Sequence, residues 1–180
     1  MNNITANNNR VQKNFWDSLE IGEKAGKELA AIIKKRMSGC QDIVKVDYQK
    51  FGFDLFLTFV KNGIVRTNNL EVKDLAGGYP TGVVEQWADD AKTKRPHWWK
   101  MGNCDYIFFK DESRNLWFMY DADKVINFLK NYKGRLSRAR NGNKDDSGWL
   151  AFFYWDPNNL PSNHNPDYVM DGWLMTFKGA

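Results

Sequence analysis

Three side chains in this sequence are placed where acid–base chemistry could occur: Asp54, Glu71 and Lys73. Asp54 interrupts the apolar run FGFDLFLTFV at 51–60, where an unpaired buried charge is strongly unfavourable. Glu71 and Lys73 belong to IVRTNNLEVKDL at 64–75. Alternate residues of a strand share a face, so Glu71 and Lys73 point one way while Leu70 and Val72 point the other. KNG at 61–63 has turn chemistry, and a hairpin through it brings Asp54 towards Glu71. Two carboxylates meeting in a dry sheet repel, and one takes up a proton unless a cation lies between them. A hard divalent ion with oxygen ligands resolves that conflict, which points to Mg²⁺, with Mn²⁺ able to substitute. Lys73 could then hold a water beside the metal or help to deprotonate it. The plain alternative is a solvated Glu71–Lys73 pair on a sheet edge, worth almost nothing to stability. The apolar setting of Asp54 favours the site.

These residues need elements to position them. NFWDSLEIGEKAGKELAAIIKKRM at 14–37 has apolar or small residues at helical intervals, among them Phe15, Leu19, Gly26, Leu29 and Ile33, and predicts an amphipathic helix. Its glycines and alanines would permit close approach to a sheet, and Asp17 to Glu20 reads as a capping box. QDIVKVDY, FGFDLFLTFV and IVRTNNLEVKDL follow as strands. Apolar residues on both faces of FGFDLFLTFV predict a strand covered on two sides. TGVVEQWADDAKTK at 81–94 predicts a second helix through Val83, Val84, Trp87, Ala88 and Ala91. CDYIFFK, DESRN and LWFMY form a hairpin, and DADKVINFLKNY a third helix capped by Asp121. Two aromatic runs, at 149–155 and 168–178, read as core or as a dimer interface. The expected class is α/β or α+β, a mixed central sheet flanked by helices. Residues 1–13 form a polar Asn-rich lead-in, and 14–180 a single domain.

Asp54, then Glu71-Val72-Lys73 seventeen positions later across a hairpin, preceded by a helix, resembles the PD-(D/E)xK nuclease superfamily, whose fold is called restriction-endonuclease-like. The residue before Asp54 is Phe53 rather than proline. The resemblance implies metal-dependent hydrolysis of DNA phosphodiester bonds. Asp54, Glu71 and the Val72 carbonyl would ligate Mg²⁺, Glu23 on the first helix would complete or position a second ion, and Lys73 would orient the attacking water. Glu85 or Gln86, on the helix expected next, could point a polar group at the site. Junction-resolving and exonuclease variants belong to the same superfamily, and a homodimer would serve to cut both strands. The compact size suits a phage-like or mobile-element enzyme, or a repair nuclease.

The net charge of +4 and pI near 9.0 permit a polyanionic partner. KTKRPHWWK at 92–100 offers Lys94, Arg95, Trp98 and Trp99 for phosphate contact and base stacking. The same tryptophans could equally pack on the core. GRLSRAR at 134–140 adds Arg135, Arg138 and Arg140 as backbone contacts. Two cysteines and no visible signal or span fit a reducing, cytoplasmic setting with no membrane contact. His97 and His164 lie too far apart for zinc spacing. A rival function is a non-catalytic nucleic-acid-binding module with the same fold; another is an adaptor using the aromatic C-terminus.

Overall fold

The structure, a computed structural model, describes residues 15–47, 51–74, 81–85, 87–88, 95–96, 102–134, 137–138 and 149–179. Helix α1 (Phe15–Arg36) opens the chain and ends in Lys34, Lys35 and Arg36, charges that suit the carbonyl end of a helix. It is described from Phe15, which places Asp17 within the helix. Ala25, Leu29 and Ile32 form its buried stripe. A Cβ added at Gly26 would meet Leu55 only at 4.0 Å, an ordinary contact, so close approach does not demand glycine there.

Strands β1 (Cys40–Lys45), β2 (Leu55–Lys61) and β3 (Ile64–Asp74) make an antiparallel meander. The β2–β3 turn is a two-residue Asn62-Gly63 loop with φ of 55° and 76°, the positive values that a tight hairpin requires. Two short pieces, β5 (Trp87–Ala88) and β6 (Arg95–Pro96), pair with each other. Strands β7 (Tyr106–Asp111) and β8 (Leu116–Asp121) follow as a hairpin, then helix α2 (Ala122–Lys130). Asp121 caps α2, its carboxylate accepting from the Lys124 N–H. Strand β11 (Trp173–Lys178) closes the main sheet, whose order is β1-β2-β3-β7-β8-β11. The β3–β7 pairing is parallel and the others antiparallel, so the sheet is mixed and the class is α+β.

The described residues of the expected helix at 81–94, which are 81–85 and 87–88, are strand instead. Thr81–Glu85 is strand β4, paired along its whole length with β10 (Trp149–Tyr154); β9 (Ser137–Arg138) lies on the far side of β10. Val83, Val84 and Thr81 are β-branched and fit a pleated ladder better than a helix. The spacing of apolar residues was compatible with both periods, and the long-range partner decided.

The main sheet separates two apolar layers. Leu55, Leu57, Phe59, Leu70, Phe108 and Trp117 pack against α1. Ile107, Phe109, Phe118 and Tyr120 face α2 together with Phe153 and Trp155. Strand β2 is buried only on its α1 face; Phe56, Thr58 and Val60 are half-buried. The C-terminal aromatics divide, since Phe153 and Trp155 are core while Trp173 is exposed. Cys40 and Cys104 are both free thiols. No described helix is long and apolar enough to cross a membrane.

Arg114 clamps the second layer. Its guanidinium pairs with Asp111, reaches Asp156 at 2.7 Å, and lies over the rings of Phe118 and Trp155. Both carboxylates are buried. Arg114→Ala would leave two desolvated charges unpaired, and we expect a loss of about 3 kcal/mol, measurable by urea unfolding.

Candidate active site

The β2–β3 register pairs Leu55 with Leu70; one step further, Asp54 falls opposite Glu71. Asp54 is thus the residue immediately before β2, rather than one in its middle. Its backbone is tied on both sides: its N–H donates to Leu70 O at 3.0 Å, and its carbonyl accepts from Val46 N at 3.0 Å. Its side chain replaces the missing strand. Where β2 has ended, the Val72 N–H donates to Asp54 Oδ2 at 2.8 Å. A strand residue's N–H and C=O point to the same side, so the Val72 carbonyl also faces the gap beside Asp54.

Glu71 is fully buried. Its carboxyl is pushed up to about 8: burial raises it most, the Lys73 ammonium offsets part of that, and the Asp54 carboxylate adds to the rise. Lys73 Nζ stands 2.7 Å from Glu71 Oε1, an ion-pair contact off the hydrogen-bonding direction. Among the described residues Oε2 meets no hydrogen-bond donor; the carboxyl that faces it is that of Asp54. Asp54, Glu71 and Lys73 therefore converge.

Glu23 is held elsewhere. Its carboxylate is 2.6 Å from Lys45 Nζ, and that ion pair lowers its pKa. Among the described residues, no group of three Asp, Glu, His or Cys side chains converges to hold a metal. The donor set is two carboxylates and a backbone carbonyl, all hard oxygens of the kind Mg²⁺ takes. The orphaned Glu71 oxygen fits such an ion.

Residues not singled out by the sequence brace this corner. The Asn69 N–H donates to Asp105 Oδ2 at 2.6 Å, and Asn69 Nδ2 to Asn103 O at 2.7 Å. Asn103 Nδ2 reaches Phe51 O at 3.2 Å, tying the loop before β7 to the segment that carries Asp54. Cys104 is buried here, and burial, then the neighbouring Glu71 charge, push its thiol up. The amide-rich stretches TNN and GNCD are the one trace of this clasp in the sequence.

Lys94, Trp98, Trp99, Arg135, Arg140 and Gln86 lie outside the described residues. Of Arg95, Arg138 and Glu85 only the backbone is described, within β6, β9 and β4. His97 is also outside; His164 Nδ1 contacts Pro161 O at 2.9 Å, away from these carboxylates.

No protein-family model matches the sequence, and no curated protein matches it. Among solved structures the chain is similar to a bacterial homing endonuclease, I-Ssp6803I. The identity is 16% and the TM-score 0.42, over 82% of this chain and 83% of that one. A likeness that distant carries no function, which has to be read from the geometry above.

Proposed function

We propose that the protein is a metal-dependent deoxyribonuclease of the PD-(D/E)xK type. One observation carries the reading: a fully buried carboxyl, without a hydrogen-bond donor on Oε2 among the described residues, set opposite a second carboxylate and beside a lysine. Structural carboxyls are rarely buried so incompletely satisfied, and perturbed groups of this kind cluster at functional sites. Asp54, Glu71 and the Val72 carbonyl would hold Mg²⁺. When bound there, the ion supplies Lewis-acid activation of the phosphodiester and lowers the pKa of a coordinated water. The rest falls to the chain itself. The Val72 N–H keeps Asp54 in one rotamer, the apolar layer excludes water from Glu71, and Lys73 is placed to orient a water and offset phosphoryl charge. Glu23 pairs with Lys45 at the surface and does not enter this ligand set.

The convergence of two carboxylates rather than three among the described residues favours a second reading, a nucleic-acid-binding module without catalysis. Incubation with supercoiled plasmid, single-stranded DNA and branched DNA in Mg²⁺, Mn²⁺ or EDTA separates the two. The expected result is cutting with either metal and none in EDTA. Binding without cutting under any metal would establish the module instead. The substrate preferred would separate endonuclease, exonuclease and junction-resolving behaviour, and cutting of both strands by a dimer would appear as linear product.

A further inference from the structure

A second surface is left uncommitted by this chemistry. Strand β7 begins at Tyr106, opposite Leu70, so the β2–β3 ribbon from Lys61 to Asn68 runs on without that neighbour. Residues 61–67 are all exposed. No Asp or Glu occurs between Leu55 and Leu70, whereas Lys61 and Arg66 are cations and Asn62 and Asn68 uncharged donors. The register pairs Phe59 with Arg66 and Lys61 with Ile64, which puts Lys61, Arg66 and Asn68 on one face. There they line a cleft of about 340 Å³ with Phe59, Asn62 and Tyr106. Lys45, Lys73, Lys110 and Arg114 each meet a carboxylate. Lys61 and Arg66 meet none among the described residues.

We propose that this ribbon face binds the phosphate backbone of duplex DNA flanking the cut. The choice of DNA over an acidic protein rests on the nuclease reading. Paired cations with amide donors are the side chains that grip phosphate; β1 flanks β2 from Leu55 to Phe59, so only the tip at 61–64 is two-stranded, the width that a DNA major groove admits. From Asp54 to the turn at Asn62 is eight positions, about 26 Å at ~3.3 Å per residue. That is the length of roughly eight base pairs of B-DNA at ~3.4 Å each. The cations also lie on the α1 face, the opposite side of the sheet from Glu71. They therefore hold flanking duplex and do not touch the reacting phosphate.

Duplex affinity, measured in EDTA by fluorescence polarisation across a salt series, tests the assignment. The Lys61→Ala/Arg66→Ala variant changes only exposed side chains. Its affinity should fall about tenfold or more near 0.1 M salt, and its log–log salt slope should flatten by about 2. In cleavage assays KM should rise with kcat at saturating DNA unchanged, and Lys61→Arg/Arg66→Lys should behave as wild type. Unchanged affinity and slope in the alanine variant, with wild-type cutting intact, would overturn the ribbon and leave the nuclease standing. Wild-type binding with no cutting would remove the nuclease while the slope still decides the ribbon. Wild-type protein that ignores DNA but binds polyglutamate through Lys61 and Arg66 would overturn the ribbon's assignment to DNA.

Discussion

Asp54→Asn and Glu71→Gln should each reduce DNA cleavage by about a thousandfold or more, with DNA binding retained. Each change deletes one of two carboxylates in a site that is already sparse. A metal-bound transition state owes several kcal/mol to such charge, and every ~1.4 kcal/mol is a factor of ten in rate. Lys73→Ala should cost about a hundred- to a thousandfold, the scale expected for one preorganised cationic donor. The two kinds of variant differ in a second measurement. Calorimetric titration with Mn²⁺ should lose its heat in Asp54→Asn and Glu71→Gln but keep it in Lys73→Ala, because the lysine is not a ligand. Glu23→Gln, which breaks only the Lys45 pair, should cut at close to the wild-type rate. Full activity in Asp54→Asn would remove the proposed site.

The second large effect is on stability, and its sign is opposite for fold and function. Glu71 titrates near 8 in the folded chain against an ordinary value of 4.5. Between those values the native state holds a proton that the unfolded chain has released, so stability falls as pH rises through that window. Below 4.5 both states are protonated and the penalty vanishes. Above about 8 the buried carboxylate is ionised and the whole penalty is present. Glutamine cannot ionise. Glu71→Gln should therefore match wild type near pH 4 and exceed it by roughly 5 kcal/mol above pH 8. Thermal unfolding in EDTA at intervals across that range reads the difference. Adding Mg²⁺ to wild type at high pH should close part of the gap, since a ligand bound only by the native state stabilises it. A gap independent of pH would show that the carboxylate is neutralised by the protein alone. A residue that weakens the fold where it ionises, yet is needed for cutting, is the pattern of a functional group.

Much of the site was legible one-dimensionally because it depends on local rules. Strand alternation put Glu71 and Lys73 on one face, and Asn62-Gly63 supplied the positive φ values of a tight turn. Together these set the pairing that carries Asp54 to Glu71. Asp121 was readable as a cap for the same reason: its bond spans three residues. The helix expected at 81–94 failed because β10, far along the chain, offered its β-branched residues a ladder that no local window contains. Glu23 was a plausible ligand on a helix wheel; that its carboxylate pairs with Lys45 depends on β1 lying beside α1, which no local window contains.

The sequence by itself determined the hairpin, the polarity of its faces and the three side chains brought to its open end, since each follows from periods of two and a two-residue turn. Only the tertiary structure decided that Glu71 is sealed from water, that the Val72 N–H locks Asp54, and that Lys61 and Arg66 meet no carboxylate among the described residues. Burial, desolvation and charge pairing are properties of what packs across a strand, and that neighbour comes from elsewhere in the chain.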